Sequence, residues 1–167
     1  GSGQAHFIDM YNVNNINSTG NRITNCTFSV TVNTPQTAGT QGDVHILGGV
    51  RIHDNVVYGN TFNINVINVG GPDPDGPGGP LQAHGYFFPV ELYRSRGNSF
   101  QANTFNLTMG STPYGTHAIF AMRDTSSNNR FVGNTVTSTG AGAIGVGWNQ
   151  AGTFVGTSNS NYLGNNV

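Results

Sequence analysis

The chain has 167 residues, 35% of them hydrophobic and only 8% charged, with a formal net charge of −1; roughly a quarter charged is usual for a globular chain. All six basic residues are arginines and they are scattered, so there is no basic stripe for a phosphate backbone and nucleic acid is excluded as a partner. No apolar run approaches the ~18 residues of a membrane-spanning helix, and a lone cysteine leaves no disulfide framework and no cysteine metal cluster.

The leading Gly1-Ser2-Gly3 reads as an expression scar ahead of a single domain over 4–167, with any targeting segment trimmed away. The first strand pattern is HFIDMYN at 6–12, where polar and apolar residues alternate. It is followed by Asn21-Arg-Ile23-Thr-Asn-Cys26-Thr-Phe28 and by the strand FSVTV at 28–32. With no basic neighbour to lower its pKa, Cys26 is expected to be a small buried apolar residue. The same sequence of parts then returns. VRIHD at 50–54 leads to Asn55-Val-Val57-Tyr-Gly-Asn60-Thr-Phe62 and the strand FNINVINV at 62–69. VELYR at 90–94 leads to Asn98-Ser-Phe100-Gln-Ala-Asn103-Thr-Phe105 and FNLTM at 105–109. FAMRD at 120–124 leads to Asn129-Arg-Phe131-Val-Gly-Asn134-Thr-Val136, and IGVGWN at 144–149 to Ser160-Asn-Tyr162-Leu-Gly-Asn165-Asn-Val167. No segment has a helical period. Between the second and third copies, GGPDPDGPGGP at 70–80 can be neither helix nor central strand. It is expected to project as a loop or subunit contact, with Asp73 and Asp75 as only a weak calcium signal.

Five copies of strand, turn, short strand, asparagine turn and strand describe a solenoid. The expected fold is all-β, a right-handed parallel β-helix of about five coils, each stacked on the last at ~4.8 Å. Asn60, Asn103, Asn134 and Asn165 would form an internal asparagine ladder, adopting the left-handed geometry of a tight corner and bonding amide to amide between coils. A sandwich or barrel is the alternative; it predicts strand-turn-strand punctuation but not one corner motif at near-constant phase.

These corner repeats resemble those of right-handed β-helix proteins of the pectate-lyase-like and phage-tailspike type, over nearly the whole chain from His6 to Val167. The resemblance implies the fold, and a groove on one sheet that binds, cleaves or epimerises polysaccharide, commonly in a trimer at the virion surface or outside the cell. The aspartate and arginine signatures of pectate lyases and the tyrosine-glycine-aspartate-proline-histidine run of alginate epimerases are not evident.

Aligning the upstream strands on Ile8/Met10, Val50/Ile52, Val90/Leu92, Phe120/Met122 and Val146/Trp148 turns three columns outward. They hold Asp9, Arg51, Glu91, Ala121 and Gly147; then Tyr11, His53, Tyr93, Arg123 and Asn149; then Asn12, Asp54, Arg94, Asp124 and Gln150. Aromatic faces and arginine forks suit sugar rings and their hydroxyls, so Asp9, Tyr11, Arg51, Tyr93, Arg94, Arg123 and Asp124 are the expected substrate-binding residues. Glu91 and Asp54 are the expected acid–base pair, with His53 or Tyr93 as the alternative proton carrier. Asp9 would lie ~10 Å from Glu91 by strand spacing, near the ~6.5–9.5 Å of inverting glycoside hydrolysis. A lyase would instead use Arg51 or Arg123 on a uronate carboxylate and Tyr93 or His53 as base. The competing reading is a charge ladder, Arg51 beside Glu91 and Asp54 beside Arg94 beside Asp124, that satisfies its own neighbours.

His6, His45, His84 and His117 each precede a strand, but at unequal offsets. A structural role is expected, with neither a metal nor another cofactor. The two functions left standing are a polysaccharide-binding or polysaccharide-cleaving β-helix, and a non-catalytic stalk segment of a larger, trimeric fibre or spike.

Overall fold

The computed structural model describes residues 3–11, 18–35, 42–70, 86–110, 117–140, 144–149 and 162–167. These residues form strands, turns and bends, with no helix among them. The first repeat contributes β1 (Gly3–Tyr11), β2 (Ser18–Thr19), β3 (Arg22–Thr24) and β4 (Thr27–Pro35). The second contributes β5 (Gly42–Val50), β6 (Ile52–His53), β7 (Val56–Tyr58) and β8 (Thr61–Gly70). Next come β9 (Tyr86–Tyr93), β10 (Ser99–Gln101) and β11 (Thr104–Met109), then β12 (Ala118–Arg123), β13 (Arg130–Val132) and β14 (Thr135–Gly140), and last β15 (Gly145–Asn149) and β16 (Tyr162–Gly164). Strands pair in parallel with their counterparts in the neighbouring repeats, giving a first sheet β1-β5-β9-β12-β15, a second sheet β16-β13-β10-β7-β3 and a third sheet β14-β11-β8-β4. The short pair β2-β6 lies between the first and second sheets in chain order. Parallel strands in stacked sheets, all-β, are compatible with a parallel β-helix.

On the first sheet the neighbours Ile46 and Leu47, and Ile119 and Phe120, both enter the core, whereas along the second and third sheets alternation sends every second side chain to the interior. On the third sheet this stacks Phe28 on Phe62 at 5.1 Å and Phe62 on Phe105 at 4.8 Å between ring centroids. On the second, Phe100 stacks on Phe131 at 4.9 Å. Phe120 of the first sheet meets Phe105 edge-on and Phe131 at a tilt, so one ring touches the other two sheets. Each fully buried phenylalanine contributes ~1.5–3 kcal/mol from burial alone.

The outward positions of the third sheet are uniform. Thr27, Thr61, Thr104 and Thr135 form one column, Ser29, Asn63, Asn106 and Thr137 the next, and Thr31, Asn65, Thr108 and Thr139 the third. None is charged.

Two asparagine ladders run along the stack. In the one expected from the sequence, Asn60 gives its main-chain N–H and its side-chain NH2 to Oδ1 of Asn103, at 3.0 Å each. Asn103 does the same to Asn134, and Asn134 to Asn166. The second ladder, unforeseen, joins Asn21, Asn55, Asn98 and Asn129 with the same pair of bonds at each step. A shorter serine version lets Ile52 N–H donate to Ser95 Oγ, and Ser95 N–H to Ser126 Oγ.

Four expectations need correction. The left-handed residue is not the ladder asparagine but the one before it: Asn25, Gly59, Ala102, Gly133 and Asn165 have φ of 52–65°. The ladder asparagine must stay in ordinary geometry so that its amide points inward. In the last repeat Asn165 therefore takes the corner and Asn166 the ladder. Cys26, at a ladder position, is exposed rather than buried; its N–H donates to Asn60 Oδ1, but its thiol has no amide to extend the ladder. The first-sheet alignment is also out of register in two strands. Leu47 and Gly49, not Val50 and Ile52, pair with Val90 and Leu92, a shift of three residues. Gly147, not Val146, pairs with Phe120.

Asn103→Ala is expected to cost about 3–5 kcal/mol, because it strands the buried N–H of Asn60 and the carbonyl of Val57, to which Asn103 donates at 3.0 Å. Ala102→Gly, one residue earlier, should stabilise by about 0.5–1 kcal/mol by relieving the left-handed alanine. Urea unfolding of both variants checks the pair of signs.

Candidate functional site

Val90 and Leu92 belong to the core, as do Phe120 and Met122, so alternation turns Glu91 and Tyr93, and then Ala121 and Arg123, to the outer side of the first sheet. Glu91 is flanked in its own column by Gly48 and Ala121. Those small neighbours leave it to be reached diagonally. His45 Nδ1, on β5, lies 3.0 Å from Glu91 Oε2, and Arg123 Nη1, on β12, donates to Glu91 Oε1 at 2.8 Å. His45 is buried and Glu91 is 8% exposed. Burial pushes the Glu91 carboxyl up, but the hydrogen bonds and charges of His45 and Arg123 outweigh it and hold the group below the usual carboxylate range.

A second cluster adjoins the first. Tyr93 pairs with Arg123 in register. Its hydroxyl hydrogen-bonds Asp124, which, with burial, raises the phenol above its ordinary value. Arg94 Nε donates to Asp124 Oδ2 at 3.1 Å, and its guanidinium sits 4.9 Å from the Tyr93 ring centroid. Arg51, Arg94 and Asp124 occupy one corner, all three in left-handed backbone with φ of 52–55°; Arg51 N–H donates to the Tyr93 carbonyl at 2.9 Å. The same left-handed geometry recurs at the other corners, in Asn25, Ala102 and Asn165, so here too it serves to turn the chain.

Of the residues singled out from the sequence, Glu91, Tyr93, Arg94, Arg123 and Asp124 thus come together, with Arg51 beside Arg94. Asp9 shares the Glu91 column across Gly48 and is exposed. Tyr11 pairs with Val50 and so shares the Tyr93 column, although its side chain lies outside the described residues. His53 and Asp54 do not join: the three-residue shift carries them past the corner. His53 bridges Arg96, and its pKa is lowered, chiefly by burial and then by Arg96. Asp54 is exposed at the next corner, at φ 56°. Glu91 and Asp54 are therefore not paired on one sheet face, and the expected contact of Arg51 with Glu91 is replaced by that of Arg123. The Arg94–Asp124 part of the expected charge ladder is present.

The contact of His45 with Glu91 is not foreseen by the sequence pattern, which gives that histidine only a structural role. The strand that carries it contains Gly48-Gly49, which breaks the alternation by which strands are found. His6 pairs with His45, and His117 bridges Phe87. His84, Asp73, Asp75, Asn12 and Gln150 lie outside the described residues, as do the side chains of Val146, Trp148 and Asn149. Among the described residues no three His, Cys, Asp or Glu side chains gather as a metal site.

Chemically, the cluster offers an ionised carboxylate, arginine forks and a phenol, all hydrogen-bonding groups suited to a polyhydroxylated ligand. Fold and site define a class: an all-β protein of parallel stacked sheets, tied by buried asparagine ladders, with a charged cluster on one outer face. Comparison with protein-family models, with curated proteins and with solved structures gives no match.

The depressed Glu91 pKa stabilises the fold fully above the unfolded value of about 4.5, and that stability is lost as pH falls through the lower folded value. Glu91→Gln should cost about 2–3 kcal/mol at neutral pH by removing the carboxylate charge that meets Arg123 and His45. It should also flatten the fall in stability on the acid side of pH 4.5. Thermal melts of both proteins across that range check it.

Proposed function

We propose that the chain is a right-handed parallel β-helix of about five coils that binds polysaccharide on the outer face of the first sheet, at a virion or cell exterior and as a trimer. The observation that carries this reading is the Glu91–Arg123–His45 diagonal joined to Tyr93, Arg94 and Asp124. The buried His45 and Glu91 hold Arg123 in place, and Arg123, Tyr93, Arg94 and Asp124, all half-buried, are the groups left open to a ligand. Right-handedness follows from the rule for crossovers between parallel strands. Arginines at the corner favour a saccharide bearing carboxylates.

Recognition fits this geometry better than cleavage. A glycoside hydrolase needs a protonated acid opposite a base, and Glu91, held ionised, supplies only the base. An eliminating lyase needs a base for the proton beside a neutralised uronate carboxylate and a proton for the departing glycosidic oxygen, and Glu91, held by His45 and Arg123 with its pKa lowered, is a weak base for that step.

The test is a panel of acidic and neutral polysaccharides, followed by direct binding, by reducing ends and by ultraviolet absorbance of an unsaturated uronate. The expected result is saturable binding of an acidic polysaccharide, weakened roughly tenfold by Arg94→Ala, with neither chemical signal. New reducing ends together with absorbance would establish a lyase, and new reducing ends alone a hydrolase. No binding and no turnover would leave a structural stalk.

A further inference from the structure

The third sheet has an outer face of a different chemistry, which the charged cluster does not use. Its three outward columns hold only threonine, serine and asparagine. A shallow groove of about 300 Å³ crosses β4, β8 and β11, lined by Ser29, Thr31, Asn63, Asn65, Asn106 and Thr108 among others. The groove therefore runs from strand to strand, along the stack. Asn106 Nδ2 donates to Asn63 Oδ1 at 3.0 Å, which fixes the orientation of both amides. Ile67 follows Asn63 and Asn65 on the same side of β8 and is 49% exposed. It is the extra residue where the register shifts between Val32 and Asn33.

We propose that this face is a second binding site, for a neutral polysaccharide whose chain lies along the stacking direction with about one sugar residue per strand. Three features select that ligand. With no charge in any column, the face offers an anionic chain nothing to neutralise it, and a neutral one meets no desolvated ion. Hydroxyls and amides are each donor and acceptor, as sugar hydroxyls are. Each column sets an uncharged hydroxyl or amide at the strand spacing of ~4.8 Å, close to the length of one pyranose residue, so a ligand that itself repeats meets an uncharged polar group at every strand. Along a strand the outward groups lie ~6.8 Å apart, a spacing longer than one sugar residue. The scaffold is also stiff, because β8, β11 and β14 each begin beside a ladder asparagine, and a pre-ordered site loses little entropy on binding.

The experiment is an NMR titration of the isotope-labelled protein with neutral β-1,4-linked gluco- and manno-oligosaccharides of increasing length, beside uronate oligomers of matched length. Affinity for the neutral series should rise until the chain is about as long as the four strands of the sheet, then level off, with shifts centred on Asn65 and Thr108. Asn65→Ala with Thr108→Val, both at exposed positions, should weaken it roughly tenfold without lowering the thermal midpoint. Asn65→Asp alone provides a second variant, expected to weaken neutral oligomers without loss of fold. The proposal is overturned if no neutral oligosaccharide binds saturably, or if affinity already levels off at a disaccharide. It is overturned equally if shifts fall on Tyr93 and Arg94 instead, if uronates bind this face more tightly, or if the face arrests ice growth while binding no saccharide.

Discussion

The rest of the structure depends on one interaction: a buried asparagine carbonyl that accepts both the main-chain and the side-chain N–H of the equivalent asparagine one repeat earlier. A tight corner inside a stacked sheet leaves main-chain groups facing the interior, where water cannot reach them. Left alone, each would cost a buried, unmade hydrogen bond. The amide solves this locally, since its remaining N–H turns to a nearby carbonyl, such as Asn103 to Val57 and Asn134 to Phe100. The left-handed residue before it turns the chain, and the threonine after it restarts the strand. Phase, corner and core are thus set together within three residues.

Once phase is fixed, the three sheets can carry different chemistry without disturbing one another. The first sheet places a carboxylate between an imidazole and a guanidinium on three successive strands, an arrangement that needs the register held to a fraction of a residue. The third sheet repeats uncharged polar groups over a column of stacked phenylalanine rings. The contrast is sharp in a chain with only seven acidic residues and six basic ones, four of which, Glu91, Arg94, Arg123 and Asp124, make ion-pair contacts on the first sheet or its corner.

How much of this is legible in the sequence depends on whether a residue's role can be read from its immediate neighbours. Asn98-Ser-Phe100-Gln-Ala-Asn103-Thr-Phe105 is readable because its positions serve in turn as ladder, core, corner, ladder, strand start and core. Even there, Asn98 reads as merely polar, although its recurrence at 21, 55 and 129 is the signal of a second ladder. The tail Gly164-Asn165-Asn166 offers two asparagines for one place, and only the left-handed φ of Asn165 decides between them. On the first sheet the signal fails for a physical reason. Gly48 and Gly49 stand where the pattern needs side chains. A methyl group at Gly49 would come within 2.6 Å of Ile52 Cδ1, so a side chain there would force Ile52 to move. Val50 and Ile52, straddling a corner, imitate an alternating strand. The cluster is therefore half legible: Glu91, Tyr93, Arg94, Arg123 and Asp124 fall together as the sequence columns group them, while His45 is hidden and His53 and Asp54 lie at another corner.

The ladders also have a polarity. At every step the main-chain N–H and one side-chain N–H donate to Oδ1 of the next higher repeat, while the second side-chain N–H turns back to a carbonyl of the repeat below, and this order does not reverse. A whole repeat is then an interchangeable unit. If the 31 residues separating Asn98 from Asn129 were removed, Asn55 would face Asn129 with the same donors, the same acceptor and the same flanking corner. Length in such a chain can change by duplication or loss of complete turns, with no new solution needed at the joint. Inversion or partial insertion would set donor against donor.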